Sequence, residues 1–184
     1  MNIVFGGSFD PVTIAHQQIV DYIFKSYNVD NFIFICAGQS INKTTKASFD
    51  DRNRMLQIAF AHYGNKCVFS EIEKQKFKGT YFSLKELEKT YGNITFLMGA
   101  DQFVNLKGWI NYPCLIRDFT FIVVDRNHLL TKEICIEICG IYLRNFTFLD
   151  KDIHISSTLF RTTKDPKLLS KDVIKYIRSK NLYN

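Results

Sequence analysis

Val4-Phe5-Gly6-Gly7-Ser8-Phe9-Asp10-Pro11-Val12-Thr13-Ile14-Ala15-His16 is the stretch on which the reading of this chain turns. The apolar run Asn2–Phe5 predicts a strand, and the paired glycines a sharp turn where backbone can approach a ligand without a Cβ in the way. Asp10-Pro11 then directs the chain into a helix over about Thr13–Lys25. The unpaired N–H groups of such a helix start attract phosphate. Thr13 and His16 are three apart, so both side chains can face one ligand at that first turn. A glycine pair alone would signal no more than a tight strand–helix connection. Ser8, Asp10, Pro11, Thr13 and His16 around a phosphate-ready helix start point to function.

Outward from this loop, short apolar runs alternate with amphipathic stretches. Strands are predicted at Phe32–Cys36, Cys67–Ser70, Ile94–Met98, Phe119–Val124 and Phe146–Leu149. Helices are predicted at about Asp50–His62, from a first turn containing Ser83-x-x-Glu86 to Tyr91-Gly92, and at Lys171–Ser179; the Ser83 pattern has the form of a capping box. Ala37–Ser48 and Lys74–Gly79 read as loops. This alternation implies an α/β protein: a Rossmann-like, doubly wound, mostly parallel sheet with helices on both faces, in a single domain spanning residues 1–184. Ligands of such sheets bind beyond the carboxyl ends of the strands. Gly6-Gly7 and Gly99-Ala100-Asp101 both directly follow predicted strands.

Composition narrows the classes. A chain of 184 residues with 46% apolar content can build a proper core. Runs such as Phe119–Val124 are too short to span a bilayer, so no membrane role is expected. Met1–Phe5 already reads as a strand, so no signal peptide is expected and the cytoplasm is the predicted compartment. The net charge of +6 is spread along the chain without a basic run, which argues against a dedicated nucleic-acid binder and fits ligands carrying several phosphates. The five cysteines form no Cys-x-x-Cys pair and read as small buried apolar residues in a reducing compartment, with no metal site. His62, His128 and His154 lack partners at a catalytic spacing and read as surface or loop residues, His154 alone lying beside a motif.

That motif is Ile155-Ser156-Ser157-Thr158-Leu159-Phe160-Arg161. Ser and Thr at a helix start cap it and expose N–H donors, and an Arg one turn on can clamp phosphate oxygens with two prongs. Together, Gly6–His16 and Ile155–Arg161 resemble the paired signatures of the nucleotidyltransferase superfamily bearing the H/T-x-G-H motif, which Thr13-Ile14-Ala15-His16 fills with Ala15 in place of Gly. Met98–Trp109, with Gly99-Ala100-Asp101 and Trp109, is similar to the G-x-D…W element of its bacterial-type nicotinate-nucleotide adenylyltransferases. Val123-Val124-Asp125-Arg126, the Leu182-Tyr183 ending, Lys43 and Arg52-x-x-Met55-Leu56 fit the same branch, although the branch's Pro-His-Lys appears here as Ile41-Asn42-Lys43.

The resemblance implies adenylyl transfer from ATP to nicotinate mononucleotide. It implies His16, Lys43 and Arg161 as catalytic residues. It implies Gly6, Gly7, Ser8, Phe9, Asp10, Thr13, His16, Asp101, Ile155, Ser156, Ser157, Thr158 and Arg161 as ATP-binding. Thr80, Trp109, Ile110 and Arg126 are then acceptor-binding, with Trp109 stacked on the pyridine ring. Mg²⁺ is expected as an ion carried by ATP. Oligomeric state is left open, a homo-oligomer included. Two other readings share the loop: a pantetheine-phosphate adenylyltransferase, toward which Thr13 leans, and a non-catalytic nucleotide sensor, suggested by Ala15 and the missing Pro-His.

Overall fold

A computed structural model describes residues 1–38, 44–75, 77–126 and 128–184. In chain order the strands are β1 (Asn2–Gly7), β2 (Asn31–Cys36), β3 (Cys67–Ser70), β4 (Ile94–Gly99), β5 (Thr120–Asp125) and β6 (Phe146–Asp150). The helices are α1 (Ile14–Ser26), α2 (Phe49–Ala59), α3 (Thr80–Tyr91), α4 (Ala100–Phe103), α5 (Tyr112–Asp118), α6 (Lys132–Cys139), α7 (Ser157–Thr163) and α8 (Lys171–Ser179). The sheet order is β3-β2-β1-β4-β5-β6. β1 pairs with β4, β2 with β3, β4 with β5 and β5 with β6, all parallel. This is the doubly wound order, in which winding reverses at β1 and β4, and ligands of such sheets bind at that switch. Among the described residues no helix is long and apolar enough to cross a membrane.

By contact the chain groups into two compact units, each assembled from two stretches of sequence. The first comprises Met1–Gly6 and Lys78–His154. Its core is aromatic: Phe121 stacks on Phe146 with centroids 4.4 Å apart, Phe96 meets Phe121 edge-on, and Phe103 does the same to Phe146 and Phe148. The second comprises Gly7–Phe77 and Ile155–Asn184. There Phe34 stacks on both Phe60 (4.5 Å) and Phe69 (5.4 Å), and Phe9 meets it edge-on. Offset and edge-on pairs of this kind add to what burial alone contributes. α8 buries Val173 and Ile177, and its Tyr176 donates to Asp51 of α2 at 2.9 Å.

Several boundaries differ from the sequence expectation, each for a local reason. β1 runs through both glycines rather than ending at Phe5, and neither has a positive φ. A Cβ on Gly6 would meet the Phe96 ring at 3.1 Å, and one on Gly7 the Phe9 ring at 2.9 Å. The pair therefore makes room for two phenyl rings instead of forming a turn. α3 starts at Thr80, so Ser83 falls within its first turn as expected, but Ser83 and Glu86 do not cap it: Gly79, at φ +113°, precedes the helix, and Ser83 is buried inside it. α2 stops at Ala59, followed by a tighter turn over Ala61–Lys66. α4 and α5, of four and seven residues, are too short to show a helical apolar period.

The loops above β1 and β2 are held from below by Arg52. It is only 1% exposed, yet it carries a charge that must find partners. Its Nη1 donates to the carbonyls of Ser8 (2.8 Å) and Ala37 (2.9 Å) and to Cys36 Sγ (3.0 Å), while Nε donates to the Ala47 carbonyl at 3.3 Å. Burial pushes the Cys36 thiol up to about 12, against the pull of Arg52, so it remains a thiol. One guanidinium thus ties the loop after β1, the end of β2 and the start of α2. Replacing Arg52 with Met, similar in length but without donors, strands the Ser8, Ala37 and Ala47 carbonyls. The expected loss is about 3 kcal/mol of unfolding free energy in urea, whereas Ile141→Ala at a site 85% exposed should change it by less than about 0.5 kcal/mol. A loss under about 1 kcal/mol for Arg52→Met would mean those carbonyls find other donors.

Candidate active site

In the second unit, the segment from Gly7 to His16 is organised around its one acidic side chain. Asp10 is 4% exposed. Its Oδ1 accepts from the N–H of Ala47 (3.1 Å) and the hydroxyl of Tyr183 (2.8 Å), and its Oδ2 from the N–H of Lys46 (2.8 Å). The carboxylate expected at ATP is thus turned inward, toward protein donors. The peptide carbonyls of the same turn face α7: Asp10 O accepts from Arg161 Nη1, and Pro11 O from Ser157 Oγ at 2.8 Å. Phe9, at φ +46° and buried, covers Gly7 and sets its ring edge-on to His16, with centroids 5.2 Å apart.

His16 is half-buried in the first turn of α1. Its Nδ1 accepts the N–H of Thr13 at 3.0 Å and lies 2.8 Å from Thr13 Oγ1. Thr13 and His16 therefore face each other rather than standing side by side toward a ligand. With Nδ1 accepting, the neutral ring carries its proton on Nε2, so the helix start selects the tautomer. Ala15 is fully buried on the core side of α1, so the methyl that distinguishes it from Gly points away from the loop surface.

α7 begins with Ser156, whose hydroxyl accepts the Leu159 N–H at 3.1 Å as a cap. Arg161 Nη2 donates to Thr158 Oγ1 at 3.0 Å. Two of the five guanidinium donors are thereby committed, to the Asp10 carbonyl and to Thr158, which fixes the plane of the fork. The hydroxyls of Ser156, Ser157 and Thr158 all serve protein groups; Ile155 precedes them, half-buried. Lys43 lies outside the described residues.

The first unit holds the remaining predicted residues. Asp101 Oδ1 would lie 2.4 Å from a Cβ on Gly99, so the Gly-x-Asp spacing lets this carboxylate fold back over its own strand end. It stands 3.6 Å from Arg126 Nη2, pairing two residues assigned to different ligands in the sequence. Thr80 opens α3 next to Gly79, whose Cβ position is 3.1 Å from Ile110, so Thr80 and Ile110 come from touching segments. Trp109 is half-buried, edge-on to Phe96 with centroids 6.3 Å apart.

Of the remaining histidines, the exposed His128 and His154 approach Asp150 and Asp152 at 3.3 and 2.8 Å, and His62 lies against Tyr63. All five cysteines are free, with Cys36, Cys67 and Cys139 buried. Among the described residues no group of three His, Cys, Asp or Glu could hold a metal ion.

Two residues of this assembly escaped sequence reasoning as site residues. Arg52 shares the register of Met55, Leu56 and Ala59 at i, i+3, i+4 and i+7, a spacing that already sets a cation on the buried face of α2. Tyr183 was marked only as part of the Leu182-Tyr183 ending, and its partner Asp10 lies 173 residues away.

A family model described as cytidylyltransferase-like matches residues 4–163. A Clostridium perfringens protein named as a probable nicotinate-nucleotide adenylyltransferase is 33% identical, over 98% of this chain and 96% of its own. One of the same name from Acholeplasma laidlawii is 29% identical, over 100% and 97%. The fold superposes on a Plasmodium falciparum nicotinic acid mononucleotide adenylyltransferase complexed with NaAD, with a TM-score of 0.81 at 23% identity, over 99% of this chain and 97% of that one. Matched by the family model over most of its length and by such relatives from end to end, the chain belongs to the cytidylyltransferase-like family, in its nicotinate-nucleotide adenylyltransferase branch.

Proposed function

We propose that this protein transfers the adenylyl group of ATP to nicotinate mononucleotide, giving nicotinate adenine dinucleotide and pyrophosphate. The observation that carries the reading is the joined loop and helix of the second unit. There a His of fixed tautomer and a fork-shaped Arg are both braced on the backbone of Thr13 and Asp10. An oxygen of the acceptor's 5′-phosphate attacks the α-phosphorus, and the bond from that phosphorus to the bridging oxygen breaks. Pyrophosphate leaves with the electron pair. The attacking phosphate is already ionised near pH 7, so no general base is required. What remains is positioning and neutralising charge that grows on the phosphoryl oxygens. His16 Nε2–H is the donor for that charge, and Arg161 and Lys43 the cations. Thr13 acts on His16, not on ATP. Mg²⁺ fits as part of the nucleotide, held by phosphate oxygens, because Asp10, the only carboxylate between Gly6 and His16, is engaged by protein donors. The free, largely buried cysteines suit a reducing compartment such as the cytoplasm.

The burial of Ala15 removes one motive for a non-catalytic sensor, since the departure from Gly does not crowd the loop. Pyrophosphate release with ATP and each of three acceptors, nicotinate mononucleotide, its amide counterpart and phosphopantetheine, tests the assignment. Release with phosphopantetheine alone, or with none, rejects it. In that assay His16→Ala should lower kcat by about a hundredfold, the effect of losing one preorganised donor to transition-state charge, with little change in acceptor KM. Unchanged turnover would remove His16 from the mechanism.

For the acceptor, Thr80 and the N–H groups opening α3 are the donors for a nicotinate carboxylate, beside Trp109 and Ile110. An amide there sets donor against donor and leaves N–H groups unpaired, at roughly 1–3 kcal/mol. The acid should therefore be preferred about tenfold to a hundredfold in kcat/KM, and Thr80→Val should shrink that preference while leaving the ATP KM unchanged. A preference of the same size in Thr80→Val would move carboxylate recognition elsewhere.

A further inference from the structure

We infer that Tyr183 is a positioning residue for the ATP loop: its hydroxyl, donated to Asp10, holds the turn on which Arg161 and Ser157 are braced. The inference rests on the reading above, in which that loop handles ATP. Three segments converge on the Asp10 carboxylate. Lys46 and Ala47 reach it through backbone N–H groups, Arg161 Nη1 stands 3.9 Å from Oδ2, and Tyr183 Oη donates to Oδ1 at 2.8 Å. Among the described residues, Tyr183 supplies the only side-chain donor in hydrogen-bond contact with that carboxylate. Without it a nearly buried carboxylate loses one of three close partners and can satisfy itself only by shifting. The shift is transmitted directly, since Asp10's own carbonyl accepts from Arg161 and the next carbonyl, Pro11, from Ser157.

The segment that carries Tyr183 is itself held in place. Asn181, at φ +53°, ends α8 in the left-handed conformation common just past a helix, and Tyr183, at φ +63°, takes a conformation uncommon for an aromatic residue. The Leu182 N–H donates to Ile177 O at 3.0 Å, Lys164 Nζ donates to the Tyr183 carbonyl, and the Tyr183 ring stands edge-on to the buried Phe160, next to Arg161, at 5.8 Å. Burial, together with the Asp10 carboxyl group, pushes the phenol's ionisation far above its ordinary range, so it remains a donor at every working pH. The Phe160 contact already fills the space beside the ring, and the bond from the hydroxyl to Asp10 is a separate, polar tie.

Tyr183→Phe keeps the ring and deletes the donor. Calorimetric titration with ATP alone should show Kd raised about tenfold. Steady-state pyrophosphate release should show a matching rise in ATP KM and a fall in kcat of several-fold, with the mononucleotide KM within twofold. Ile177→Ala, which loosens the same region without touching Asp10, should lower the melting temperature at least as much and leave the ATP Kd within twofold. Tyr183→Phe with an unchanged ATP Kd overturns the inference, as does an equal rise in both KM values, the mark of a merely structural role. If the unaltered protein binds ATP but releases no pyrophosphate, the adenylyl-transfer reading fails alone, and the Kd comparison still decides the role of Tyr183. If it does not bind ATP, both fall.

Discussion

A carboxylate buried in a loop has to be satisfied by the protein, and the way Asp10 is satisfied organises the second unit. Its acceptors draw backbone from the segment before α2 and a hydroxyl from beyond α8, while its carbonyl draws a guanidinium from α7. Each donor would lose an otherwise favourable bond if the loop moved, so the loop cannot move alone. The arrangement costs desolvation of an acid, and a folded protein tolerates that only where the partners are complete. The order of this loop and the stability of the unit are therefore the same set of bonds.

Arg52 complements this, binding the carbonyl of the same Ala47 whose N–H Asp10 accepts. Asp10 gathers donors and Arg52 gathers acceptors, and the segment from Ser8 to Asp10 is tied through both. A loop braced in this way keeps the imidazole of His16 in one tautomer and one place. The same economy shows in the first unit, where missing Cβ atoms are used as space. Asp101 folds over Gly99 and Ile110 packs on Gly79, so glycines there locate polar and apolar partners rather than supplying looseness.

The strands and longer helices were legible in the sequence because their apolar periods are local properties, and β3 and α8 fall where those periods place them. The start of α1 was legible too, with Thr13 at its N-cap where Asp10-Pro11 place it, although the glycines before it continue β1. Where local patterns competed with packing, packing prevailed. Ser83 and Glu86 have capping-box spacing, but the residue at the helix start is Gly79, at φ +113° against Ile110, and Ser83 is buried instead of capping. α6 carries an alternating Ile-Cys-Ile-Glu-Ile run that could suit a strand, and Thr131 caps it as a helix with its hydroxyl at 3.3 Å from the Ile134 N–H.

What the sequence determined by itself is the class of fold and the elements that flank the Gly6–His16 segment, because each follows from identity and spacing over a few residues. What only the tertiary structure decided is which way those residues point. Thr13 and Ser157, expected at the ligand, turn their hydroxyls to His16 and to Pro11. Asp10 turns its carboxylate inward to Tyr183, 173 residues away. Hydrogen-bond partners separated by that distance have no common pattern in a single sequence. They are chosen when the chain closes and every buried polar atom must find a donor or acceptor within about 3 Å.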